Sequence, residues 1–277
     1  MGTRTFITAL AVGILASAGL AHADTVNGSL SGDPSLGVNP GTSDLSVTFG
    51  SLTYNPAFVG KINWTTGASS TDPFFTGSGV DATSFSTYCI EGNQDVYFGS
   101  NYTWNASALA PGVQAPDHGA GSVYFTNSQV SDLTSFWNRY YDTSLLNATN
   151  ATAFQVGIWE IAGDDVLSTT GTATSYFTTG NFKASSNSAV DTNALNEAAT
   201  WLDAVATGGS YATANEYSIL ALTNSSAQDQ LVGIPTPNSG GSPPSTPIPA
   251  ALPAGLSVMG VMGAAQLLRR RRQTVAA

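Results

Sequence analysis

One thiol stands alone in this chain. Cys89 is the single cysteine, set in Thr87-Tyr88-Cys89-Ile90-Glu91-Gly92, so no intramolecular disulfide can form. A lone thiol is a buried small hydrophobe, an intermolecular partner or a reactive group. The second unusual group is an amide. Gln155 lies in a run from Ala151 to Ile161 that is apolar apart from Thr152, Gln155 and Glu160. On a helix, Ile158 and Trp159 stand at i+3 and i+4 from Gln155. The amide is therefore expected to be partly buried, and a buried amide needs hydrogen-bond partners. A small buried cysteine and a satisfied core glutamine account for both residues without any chemistry, and that alternative stays open.

The remaining polar residues select no reaction. His118 sits in Pro116-Asp117-His118-Gly119, an exposed turn by its composition, which argues against a Cys89–His118 peptidase pair. One body histidine and one cysteine are not spaced as ligands, and no calcium-loop pattern occurs, so no metal and no cofactor are expected. Glu91, Glu160 and several aspartates offer no spacing that singles out a glycosidase pair. Gly119-Ala120-Gly121 lacks the lysine of a phosphate loop. Trp64 and Trp104 are candidates for stacking on sugars if exposed, although such rings are more often core. The chain is not expected to be an enzyme.

The elements that must position Cys89 and Gln155 read as strands, then helices, then strands. Asp44 to Tyr54 predicts a strand pair around a Gly50-Ser51 turn, and Thr83 to Ile90 a strand ending at the cysteine. Asp95 to Phe98 is a short strand candidate. Asn127 or Ser128 can cap a helix to about Tyr140, with Leu133, Phe136, Trp137 and Tyr140 on one stripe. Thr149 or Asn150 can cap a second through Ile161, ending near Gly163. Asp191 can cap a third, stopped by Gly208-Gly209. Glu216 to Thr223 and Gln230 to Ile234 predict closing strands. The expected fold class is α+β: a β-rich sandwich or barrel-like domain with a helical subdomain between about 127 and 207, and a C-terminal transmembrane sorting helix.

Charge is sharply partitioned. All 18 acidic residues lie between Asp24 and Asp229, against three basic ones there, Lys61, Arg139 and Lys183, leaving that stretch at −15. Such a body repels phosphates, which excludes nucleic-acid partners. The ends differ. Residues 1–23 carry Arg4, an apolar stretch from Phe6 to Leu20 and Ala21-His22-Ala23, the pattern of a signal peptide and its cleavage site. Residues 235–249 form a Pro/Gly/Ser linker. Residues 248 to 268 hold no charge, and Arg269, Arg270, Arg271 and Arg272 follow at once. This predicts a membrane span over 250–268 with 269–277 as a basic cytoplasmic tail.

The tail, from about Thr246 to Arg272, resembles the PEP-CTERM sorting signals of bacteria, with Pro247, Pro249 and Pro253 closer to the VPLPA-type variant than to Pro-Glu-Pro. That resemblance implies processing by signal peptidase and by an exosortase-like membrane protease. It also implies transient inner-membrane anchoring and release to the cell surface or extracellular matrix. The body resembles the thioester domains of bacterial surface adhesins. Tyr88-Cys89-Ile90-Glu91 matches the family's cysteine motif. Phe154-Gln155-Val156-Gly157-Ile158-Trp159 matches its Thr-Gln-x-Ala-(Ile/Val)-Trp helix, with Phe154 for threonine and Gly157 for alanine. The resemblance implies a bond between Cys89 and Gln155, with Tyr88, Phe154 and Trp159 as candidates to cover the site. It further implies covalent attachment of the extracellular domain, residues 24–234, to a surface amine or hydroxyl. The alternative function is a non-covalent structural or carbohydrate-binding protein of the exopolysaccharide matrix of a biofilm.

Overall fold

The computed structural model describes residues 24–30, 42–65 and 84–236, apart from 93, 98, 113, 116–122, 165–166, 168–171, 187 and 209–216. The expected signal peptide, His118, the expected linker beyond Thr236, Pro247, Pro249 and Pro253, the expected span over 250–268 and the four C-terminal arginines lie outside the described residues. Among the described residues, no helix is long and apolar enough to cross a membrane.

Six strands close into an antiparallel barrel. They are β1 (Asp24–Leu30), β4 (Ile62–Thr65), β5 (Ser84–Cys89), β6 (Asn101–Ala108), β10 (Tyr217–Thr223) and β11 (Gln230–Pro235). Around the barrel the order is β1-β4-β5-β11-β10-β6. Closure leaves no free edge among these strands. A separate sheet pairs β3 (Leu52–Val59) with β2 (Thr42–Phe49) and β2 with β9 (Phe182–Ser186). The expected β2–β3 hairpin is present, and Gly50, with φ 55°, makes its turn. Two short strands, β7 (Gln114–Ala115) and β8 (Val123–Tyr124), pair with each other.

Three long helices and a short one lie between the barrel strands β6 and β10: α1 (Asn127–Ser144), α2 (Ala148–Gly163), α3 (Ala173–Tyr176) and α4 (Ala189–Ala206). Each long helix starts earlier than its sequence signal. Thr126 caps α1 through a capping box with Gln129, Asn147 caps α2, and Ser188 caps α4. In α4 the predicted cap, Asp191, is instead the third helical residue, and it bonds back to Ser188. The segment is also not wholly helical, because β9 joins it to β2. Asp95 to Tyr97 is not a strand. The Tyr97 N–H donates to the Tyr102 hydroxyl, and no ladder partner faces this segment.

The barrel core is aromatic. Trp64 and Trp104 are fully buried and meet edge to face, their ring centres 4.6 Å apart. These indoles are therefore core, the commoner place for such rings, and are not free to stack on sugars. Gly28 permits this packing, since a Cβ there would lie 3.3 Å from both Phe85 and Trp104. A second aromatic layer joins the barrel to the helices. Tyr88 points away from the barrel interior to pack on Phe154 and Trp137, and Phe136 stacks on Phe154 at 5.0 Å. Helix α2 is buried continuously from Ala151 to Gly163, so it forms the centre of the domain.

Candidate functional site

Strand β5 ends at Cys89, and β11 begins directly opposite it at Gln230. Facing residues on paired strands project to the same side of the sheet. The Cys89 sulfur lies 3.5 Å from Gln230 Oε1 and 3.4 Å from Gln230 Nε2. Both heteroatoms of one amide lie at this range, so the oxygen–nitrogen edge of that amide faces the sulfur. The thiol also donates to Gln228 Oε1 at 3.0 Å.

Gln155 reaches the same cysteine differently. Its Oε1 accepts from the Cys89 N–H at 2.8 Å, and its Nε2 donates to the Cys89 carbonyl at 2.7 Å. Both ends of the amide are thus committed to the backbone, while the sulfur's hydrogen bonds go to Gln228 and Gln230. The sequence reading had placed Gln155 opposite the sulfur. In the structure Gln155 meets the backbone of Cys89, as a clamp on the strand end where the β5 ladder stops and the main chain needs partners.

The Gln230 amide is held on every side. Its Oε1 accepts from the Thr87 hydroxyl at 2.9 Å, that hydroxyl accepts from Trp64 Nε1 at 2.7 Å, and Gln230 Nε2 donates to the Gln228 carbonyl at 3.1 Å. Trp64, Thr87 and Gln230 are all fully buried. The 228–230 segment is tied to the residues after the cysteine by three bonds. Gln228 Nε2 donates to the Glu91 carbonyl, the Asp229 N–H donates to the Glu91 carboxylate, and the Ile90 N–H donates to the Asp229 carbonyl. Burial pushes the Cys89 thiol up to about 12. The Gln230 hydrogen bond opposes the shift, and the Glu91 and Asp95 charges add to it. The sulfur is therefore a protonated thiol near neutral pH.

A cavity of about 290 Å³ opens beside the sulfur, with Cys89, Gln155 and Gln228 in its wall and Phe49, Tyr54 and Trp159 around them. Gln230 is not in the lining and is fully buried. Of the three rings expected to cover the site, Trp159 lines the cavity and packs on Phe49 at 5.1 Å. Tyr88 and Phe154 do not. Alternation along β5 turns Tyr88 to the other face, where its hydroxyl donates to Ser144, and Phe154 is core. The departure at Gly157 has a packing cause, because a Cβ there would lie 2.2 Å from the Phe136 ring. Among the described residues no group of three or more His, Cys, Asp or Glu residues is placed to hold a metal ion.

Gln228, Gln230 and Thr87 were missed as site residues. Gln230 had a visible signal, an amide opening an otherwise apolar strand, Leu231-Val232-Gly233-Ile234. Its meaning depends on which strand lies opposite. No family model matches the chain, and no curated protein does. Among solved structures, this chain is similar to the N-terminal thioester domain of fibronectin-binding protein SfbI from Streptococcus pyogenes, with 11% sequence identity, a TM-score of 0.40, and coverage of 70% of this chain and 95% of that one.

Proposed function

We propose that the domain is an extracellular adhesion module that forms an internal thioester between Cys89 and Gln230 and uses it to attach covalently to an amine or hydroxyl at a surface. The observation that carries this reading is the sulfur lying at 3.4–3.5 Å from both heteroatoms of the Gln230 amide, on facing residues of paired strands. Paired strands hold the sulfur and this amide side by side, which makes the reaction intramolecular. In the first step the Cys89 sulfur bonds to Gln230 Cδ, the Cδ–Nε2 bond breaks, and the thiol proton leaves on nitrogen as ammonia. In the second, an amine bonds to Cδ, the C–S bond breaks, and a proton from the amine returns to sulfur. The products are a stable amide on Gln230 and a free thiol, with no turnover and no redox change. Burial keeps water from the acyl carbon in the interval. Export by residues 1–23, and sorting through Pro247, Pro249, Pro253 and Arg269–Arg272 by an exosortase-like protease, belong to the same proposal.

The test is the mass of freshly purified native protein. It should be one ammonia lighter than the sequence, with Cys89 unreactive to thiol reagents. Incubation with methylamine should add one methylamine at Gln230 and free the thiol. Full mass with a titratable Cys89 rejects the bond, and label at Gln155 rejects the assignment to Gln230. Because Gln230 lies behind the cavity wall, uptake should fall with the bulk of the amine, so methylamine should react much faster than tert-butylamine.

A further inference from the structure

We infer that the Thr87 hydroxyl is the oxyanion donor of this site, held in its donating orientation by the Trp64 indole, so that both making and breaking a Cys89–Gln230 bond depend on it. The inference rests on the Cys89–Gln230 reading above. Its basis is the direction of the hydrogen bonds. An indole N–H can only donate. With Trp64 Nε1 at 2.7 Å from Thr87 Oγ1, the hydroxyl oxygen is the acceptor there, and its own proton is free for Gln230 Oε1 at 2.9 Å. The amide orientation agrees, since Gln230 Nε2 faces the Gln228 carbonyl. The carbonyl oxygen under attack is thus met by a fixed donor.

Attack of sulfur on Gln230 Cδ moves the carbonyl π electrons onto Oε1, and the same oxygen carries the charge when an amine later attacks the thioester. A donor already aimed at that oxygen, on a fully buried amide, stabilises the charge without reorganising. Alternation along β5 supplies the geometry, because Thr87 precedes Cys89 by two residues and shares its face. Nucleophile and oxyanion donor thus come from one strand, and the electrophile from its neighbour. Thr87 touches a reacting atom and is catalytic in that sense. Trp64 acts through Thr87 and is a positioning residue, although its ring is also core.

The experiment follows methylamine uptake by mass spectrometry on the full mature chain, with Thr87→Val, Thr87→Ser and Trp64→Phe. Thr87→Val keeps the shape and removes the donor, and should slow both ammonia loss and uptake by about 10²-fold or more. Thr87→Ser should restore most of the rate, and Trp64→Phe should give an intermediate loss. Wild-type rates in Thr87→Val would overturn the inference. A second measurement stands whether or not the valine variant folds. With ¹³C-labelled glutamine, the infrared band of the thioester carbonyl in the wild-type chain should lie below that of an alkyl thioester free of hydrogen bonds. A band at the free position would also overturn it. A wild-type chain of full mass removes the Cys89–Gln230 reading itself, and is seen before any variant is made.

Discussion

Two fully buried glutamines meet Cys89 from different elements, and they do different work. Gln155, on α2, spends both ends of its amide on the cysteine's backbone. Gln230, on β11, presents its amide to the sulfur and has its oxygen polarised by Thr87. The helix side of the site fixes where the strand ends. In the proposed chemistry the strand side holds the reacting atoms. Residue type and burial are the same, so what separates an architectural amide from the proposed electrophile is which atoms of the neighbour it faces.

Exchanging each glutamine for leucine should split this comparison cleanly. Gln230→Leu should abolish ammonia loss and methylamine uptake completely and leave a folded domain. Gln155→Leu should leave Cys89 N–H and C=O buried without partners, at a cost of about 1–3 kcal/mol each, read as a large fall in thermal midpoint. Any thioester that still forms in Gln155→Leu should map to Cys89 and Gln230. A Gln155→Leu protein as stable as wild type, or a Gln230→Leu protein that still loses ammonia, would collapse the distinction.

A smaller perturbation moves the helix without touching any polar group. Gly157 lets α2 approach α1, and the Cβ of an alanine would lie 2.2 Å from the Phe136 ring. Gly157→Ala should destabilise the domain by about 1–3 kcal/mol through overpacking, despite alanine's better helix propensity. The partner change Phe136→Leu should recover part of that loss in the double mutant. Additive effects in the four-protein cycle would mean that the two positions do not interact.

The helix side was far more legible in the sequence than the strand side. Helical period, caps and glycines are local, so α1, α2 and α4 were found to within a few residues, and Gln155 stood out as one amide in an apolar run. The β2–β3 hairpin and β5 were read from turns and alternation. Strands β1, β4, β6 and β9 were not found. Asn101 to Ala108 buries Trp104 and Ala106 among exposed polar residues, a sparse alternation that reads equally as loop. Gly28 reads as a breaker until the rings above it are seen. The relation of Cys89 to Gln230 spans 141 positions and follows only from β5 pairing with β11. Register between distant strands is set by closure of the barrel as a whole, and no short window of sequence contains it.

A further effect expected on the helix side is a pH dependence that leaves the strand side unchanged. Glu160 follows the cavity-lining Trp159 on α2, is 5% exposed, and has one carboxylate oxygen with no partner among the described residues. Burial, and then the Asp164 charge, push its carboxyl from the usual 4.5 up to about 9. Between those values the native state keeps the proton and the unfolded state does not. Raising pH across that window therefore favours unfolding, by at most about 1.4 kcal/mol per pH unit from this group. The stability is full below 4.5 and lost as pH passes 9. Asp229, pushed up to about 6 by burial against the opposing Asn224 N–H, acts in the same direction between 3.8 and 6. Glu160→Gln removes only the first contribution. Thermal midpoints from pH 5 to 9 should fall for the wild-type protein and stay flatter for the variant, the gap widening with pH. Methylamine uptake should differ little between the two proteins at any pH where both are folded. Parallel midpoint curves would show that Glu160 is ionised in the native state. A changed uptake profile would show that α2 reaches the chemistry as well as the strand end.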